Sequence, residues 1–119
     1  MNEKILNLEK SLFKYEYMSN IEYLDSIIDD NYEEIGKSGL IFNKNDVIQE
    51  LSNLKEDRDI EIYNFKCNKI SNNIWLVHYI TKSNDKNIYR TSIWKEENNL
   101  KLLFHQASEY KENIQLEKY

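Results

Sequence analysis

Residues 74–108 read IWLVHYITKSNDKNIYRTSIWKEENNLKLLFHQAS, and this stretch decides the fold class. Ile, Val, Tyr, Trp, Phe and Thr crowd Ile74–Thr81, Ile88–Lys95 and Leu100–Ser108, the residue types that suit a pleated sheet. The segments between them, Ser83 to Asn87 and Glu97 to Asn99, hold no glycine. Asn and Asp tolerate left-handed backbone, so they can turn hairpins in its place. If Asn84-Asp85 and Asn98-Asn99 are two-residue turns, the register follows. Trp75 then lies opposite Trp94, Val77 opposite Ser92 and Tyr79 opposite Arg90. Across the next turn, Trp94 meets Leu103, Ser92 meets His105, and Arg90 meets Ala107.

One sheet face therefore carries Trp75, Val77, Tyr79, Arg90, Ser92, Trp94, Leu103, His105 and Ala107. The other carries Leu76, His78, Ile80, Tyr89, Thr91, Ile93, Leu102, Phe104 and Gln106. Both are largely apolar, whereas a sheet covered only by its own helices shows one wet face. Helices are expected on one side and a second subunit on the other, making a homodimer through the outer sheet face. The first face mixes aromatics with Arg90, Ser92 and His105, as pocket linings do. Ile60–Cys67 reads as a further strand, with Tyr63, Phe65 and Cys67 assigned to that first face.

The first half has a helical period. Ile5, Leu8, Leu12, Phe13 and Tyr15 predict a helix over 2–17. Ser19 followed by Glu22 reads as a capping box opening a helix over 21–28, which Asp29-Asp30-Asn31 ends. Tyr32 to Ile35 is a short extended piece, closed by Gly36-Lys37-Ser38-Gly39, which holds both glycines of the chain. A third helix begins after Asn43, capped by Asn45 or Asp46, with Val47, Ile48, Leu51 and Leu54 as its stripe. Helices, a short strand and a four-strand meander make an α+β plan.

The 119 residues bound the answer further. They support one domain over 1–119, with a core of about residues 5–109 and a charged 110–119 tail that can fray. A single Cys67 excludes an intrachain disulfide and a multi-cysteine metal site, and favours a reducing, cytoplasmic setting. A net charge of −5 argues against nucleic acid, and no apolar run is long enough for a membrane span. The N-terminus is charged rather than signal-like.

Three blocks carry a family resemblance: Tyr32-x-Glu34-Ile35-Gly36-x-Ser38-Gly39, Arg90-Thr91-Ser92-Ile93-Trp94 and Phe104-His105-Gln106-Ala107-Ser108. They resemble domain-of-unknown-function family 4440, within the nuclear-transport-factor-2-like superfamily that also holds SnoaL-like cyclases and ketosteroid isomerases. Tyr32, Thr91 and Ala107-Ser108 depart from its usual residues but keep size and polarity. The resemblance implies a cone, with N-terminal helices wrapped by a strongly curved, mostly antiparallel sheet that encloses a pocket. It also implies pairing of subunits through the outer sheet face. Its chemistry stays open, because function belongs to the site and not to the fold.

The candidate ligand-binding residues are Glu34, Tyr79, Arg90, Ser92, Trp94 and His105. Glu34 is either a desolvated general base or a structural group, the ion-pair partner of Arg90 or a cap for nearby backbone amides. Arg90, one of two arginines, suits a carboxylate, from Glu34 or from a ligand. His105 is either a proton carrier or a hydrogen-bonded core residue. Ser92 beside it lacks a third orienting acid. His78 falls on the opposite face, which argues against a metal site, and no cofactor is implied. Glu56-Asp57-Arg58-Asp59 reads as solvated surface. Three functions follow: a pocket protein for a small apolar or aromatic metabolite; an isomerase, cyclase or dehydratase using Glu34 or His105 for proton transfer and Tyr79 or Arg90 for the developing negative charge; or a non-catalytic interaction module. A cavity above ~300 Å³ would favour the first two.

Overall fold

A computed structural model of the chain describes residues 1–119. The N-terminal stretch is two helices rather than one: α1 spans Asn2–Ser11 and α2 spans Tyr15–Met18. The backbone N–H of Arg58 donates to the Phe13 carbonyl at 2.8 Å, and that of Tyr15 donates to Asp57 Oδ1 at 2.7 Å. A distant loop thus takes up backbone groups that the helix break leaves unpaired. The bend brings Phe13 into the core. α3 covers Ile21–Ile27 and is capped by Asn20, whose side chain accepts from the Tyr23 N–H, not by a Ser19–Glu22 box. Asp29-Asp30-Asn31 run straight on into β1, Ile28–Ile35. Their charge is tolerated because Asp29 meets Lys95 at 2.9 Å and Asp30 meets Lys44 at 3.0 Å.

The turn after β1 closes with the Gly39 N–H on the Gly36 carbonyl, and only Gly39 needs positive φ, at 81°. A short β2, Ile41–Asn43, went unread in the sequence. It pairs antiparallel with β1 and leads directly into α4, Lys44–Ser52. Asn43 rather than Asn45 or Asp46 caps α4, and Asp46 returns the bond to complete a capping box. Val47 and Leu51 are the buried apolar residues of this helix.

The remaining strands are β3 (Glu61–Ser71), β4 (Ile74–Ser83), β5 (Lys86–Glu97) and β6 (Asn99–Glu109). They form a meander in one open six-stranded sheet of order β2-β1-β6-β5-β4-β3, made mixed by the parallel pairing of β1 with β6. Asn84 and Asp85 turn β4 into β5 with φ of 49° and 65°, and Asn98 turns β5 into β6 at 66°. The expected pairs Trp75–Trp94, Val77–Ser92, Tyr79–Arg90, Ser92–His105 and Arg90–Ala107 all occur. One pair differs. Trp94 faces Leu102, because a bulge after Ile93 leaves Leu103 as the extra residue and puts Leu102 in the core.

The core lies between the helices and the concave sheet face, where Ile5, Met18, Leu24, Val77, Tyr79 and Trp94 are fully buried or nearly so. On β3, Phe65 and Cys67 join this side as expected. Tyr63 does not, since a bulge with Asn64 at φ 54° intervenes and Ile62 is buried instead. The same Asn64 holds the far end of the tail: its side chain accepts from the Glu117 N–H at 2.6 Å and donates to the Gln115 carbonyl at 3.0 Å. Tyr119 packs on Phe65 with ring centroids 5.1 Å apart. No helix is long and apolar enough to cross a membrane.

Candidate functional site

Between α1, α4 and the concave sheet face lies a cavity of about 220 Å³. Its apolar wall is Leu12, Phe13, Ile28, Val47, Leu51, Leu54 and Leu102, and its polar groups are Glu9, Tyr32, Glu34, Glu50, Arg58, Tyr79, Arg90 and His105. Of the six residues expected from sequence, Glu34, Tyr79, Arg90 and His105 reach this wall. Ser92 and Trp94 are not part of the lining; both are fully buried.

The parallel pairing of β1 with β6 sets Glu34 beside His105. Glu34 nevertheless makes no ion pair with Arg90. Its carboxylate accepts from the Tyr32 hydroxyl at 2.6 Å, two residues back on the same face of the strand. Burial raises the Glu34 pKa, and the Tyr32 hydrogen bond opposes that rise.

The sequence reading missed Glu9. This residue of α1 is 1% exposed and stands at the centre of the core. Tyr79 Oη donates to its Oε1 at 2.5 Å, and Trp94 Nε1 donates to its Oε2 at 2.8 Å. Burial pushes the carboxyl pKa up, against hydrogen bonds from Ser92, Tyr79 and Trp94 that favour the charged form. A signal existed: Glu9 is four residues from both Ile5 and Phe13, on the apolar stripe of the helical pattern. Because Tyr79 is committed to Glu9, its hydroxyl proton does not point at a ligand. Burial first, then the Glu9 charge, holds its pKa well above the usual phenol value.

His105 links this buried centre to the cavity. Arg90 Nη1 lies 3.3 Å from His105 Nε2 and can only donate, so Nε2 accepts and the ring proton sits on Nδ1. Nδ1 donates to Ser92 Oγ, 2.7 Å away. Burial, then the charges of Arg90 and Arg58, lower the His105 pKa to about 3, so the ring is neutral at physiological pH. Ser92 has no exposed surface from which to attack a substrate. The Ser–His contact is thus a buried hydrogen bond and not a nucleophile with its base.

Arg58 was also missed. The acidic run around it is not simply solvated surface: Asp57 caps α2, and Arg58 is half-buried on the cavity wall with its guanidinium 4.8 Å from the Phe13 ring centroid. Arg90 lies 5.6 Å from the same centroid. Both arginines of the chain therefore converge on one phenylalanine at one cavity. Burial, then Arg90, lowers the Arg58 pKa. The scarcity of arginine, applied to Arg58 as well as Arg90, was the available clue.

The sequence matches no protein-family model and no curated protein. The finer resemblance, to family 4440, therefore rests on its three blocks alone. Solved structures do match in shape. A nuclear-transport-factor-2-like protein from Cytophaga hutchinsonii superposes with a TM-score of 0.74 at 19% identity, over 91% of this chain and 97% of that one. Another, of unknown function, from Prochlorococcus sp. NATL2A gives 0.72 at 18% identity over 93% and 94%. A candidate ketosteroid isomerase from Parabacteroides distasonis gives 0.72 at 15% identity over 93% and 89%. With helices against an open six-stranded mixed sheet and these neighbours in shape, the chain has the nuclear-transport-factor-2-like cone fold.

Proposed function

We propose that the chain binds a small apolar or aromatic metabolite in the cone. The observation that carries this reading is the cavity of about 220 Å³, apolar along Leu12, Ile28, Val47 and Leu51 and polar where Arg58, Arg90 and Glu34 converge. Few, grouped polar groups in an apolar wall are the usual composition of a ligand site. The volume falls below the ~300 Å³ at which drug-sized sites begin, and a cavity of ~150 Å³ already takes one benzene ring. The occupant is therefore about one ring in size. Native mass spectrometry of the purified protein, with ligand-observed NMR using benzyl alcohol, tests the reading. Saturable binding by the wild type that is lost in Val47→Phe, where the new ring fills the cavity, is the expected result. Absence of binding, or equal binding by both, overturns it and favours the interaction-module reading.

A second reading, proton transfer as in an isomerase, cyclase or dehydratase, has one observation behind it. Glu34 stands on the cavity wall with a carboxyl pKa raised by burial, toward the range a general base needs. The likeness in shape to a candidate ketosteroid isomerase agrees with it. His105 is less suited, being neutral with both ring nitrogens engaged. Arg90 remains for a developing negative charge. Glu34→Gln that keeps ligand affinity but stops turnover supports this reading; unchanged turnover removes Glu34 from it.

The proposal extends to assembly as a homodimer. The convex sheet face carries Leu76, Ile93 and Phe104, each half-buried in the isolated chain, around a His78 ring held by Thr91 Oγ1 at 3.0 Å. Such a face suits a second copy of itself.

A further inference from the structure

The two arginines lack what buried or half-buried arginines usually have. Neither makes an ion pair with any carboxylate of the chain. Arg90 uses Nε on Thr81 Oγ1 at 2.8 Å and Nη1 on His105, and its other nitrogen-bound hydrogens have no protein acceptor. The Arg58 guanidinium donates no hydrogen bond to the protein at all, although it can offer five. Glu34 and Glu50 face the same cavity, yet Glu34 is bonded to Tyr32 and Glu50 is exposed. Two like charges held over one ring repel each other, a cost that an anion between them relieves.

A second observation concerns where the pair stands. Arg58 and Arg90 line not only the inner cavity but also an outer groove of about 390 Å³. That groove brings Lys37 and Lys86 to the same place, with Asp59 as its one acidic residue. In a chain with net charge −5, this is a local cationic funnel whose throat is the arginine pair. Beyond the pair, the cavity wall includes Ile28, Val47 and Leu51.

We propose that the cavity ligand carries an oxyanion head, a carboxylate or phosphate, gripped by Arg58 and Arg90, with an apolar body of about one ring directed inward toward Ile28, Val47 and Leu51. The inference rests on the ligand-binding reading above and names the class of that ligand. A planar guanidinium meets either head group through two parallel N–H bonds, and two guanidinia fix its position where one lysine would not.

Calorimetric titration of the full chain with benzoate, phenyl phosphate, benzyl alcohol and inorganic phosphate tests it. The expected result is binding of benzoate or phenyl phosphate at one site per chain, at least roughly tenfold tighter than benzyl alcohol. The tighter of the two identifies the head group. Arg58→Gln, which breaks no side-chain hydrogen bond within the protein, should lose at least about tenfold for the charged ring compound and markedly less for benzyl alcohol. Benzyl alcohol binding as well as the ring acids overturns the oxyanion and leaves the pocket reading standing. Inorganic phosphate binding as tightly as both ring acids overturns the apolar body. Unchanged acid affinity in Arg58→Gln overturns the proposal and leaves the pocket reading to Val47→Phe, whereas no binding by any of the four, benzyl alcohol included, overturns both.

Discussion

Glu9 holds more of this protein together than its place in a helix of two glutamates and two lysines suggests. Two donors from different strands, Tyr79 and Trp94, end on one buried carboxylate. Glu9→Ala should therefore cost roughly 1–3 kcal/mol for each orphaned donor, read as a fall in the urea midpoint, and Glu9→Gln less because one acceptor remains. The pH dependence has a definite sign. A carboxyl whose pKa is raised in the folded chain keeps a proton that the unfolded chain has released. Stability then falls as pH rises from about 4.5 through the folded value, and Glu9→Gln should abolish that slope. His105 acts in the opposite sense. Its pKa is lowered from 6.5 to about 3, so the unfolded chain takes up a proton that the folded chain refuses. Stability is lost as pH falls from 6.5 toward 3, and His105→Gln should flatten this acid limb in urea titrations. Comparing each variant with the wild type separates the two slopes where they overlap.

At the scale of elements, α4 forms one wall of the cavity, since it brings Val47 and Leu51 to the ligand space. Its start depends on the reciprocal bonds between Asn43 and Asp46. Asn43→Ala should destabilise the chain by about 1 kcal/mol in urea unfolding and weaken ligand binding without touching the lining. What could be read from sequence divides along a physical line. Strand period and asparagine turns are local, so the β4–β5 register came out residue for residue, and His105 was correctly set against Ser92. The Leu102–Leu103 choice was not legible, because either leucine suits a core and a bulge decides between them. Nor was the break after α1, whose partners Asp57 and Arg58 lie more than forty residues away. The same holds for the site. Arg90 and His105 were found because register placed them together, whereas Glu9 and Arg58 reach the cavity only through tertiary packing.

For the whole molecule, the convex face gives the assembly prediction. Light scattering at micromolar concentration should return twice the 14.4 kDa chain mass. A charge placed on that face, as in Ile93→Lys, should return the monomer mass while leaving the cavity, on the other side of the sheet, able to bind. A wild-type monomer sinks the dimer. The sheet order has a consequence of another kind. β6 lies between β1 and β5, and Glu9 receives its donors from 70 and 85 residues downstream. During synthesis the N-terminal helices emerge from the ribosome with a hydrated carboxylate on their apolar side and no sheet to lie on. They cannot settle piecemeal. Native structure has to wait until β6 is out, which ties the birth of the cavity to the arrival of the strand that carries His105.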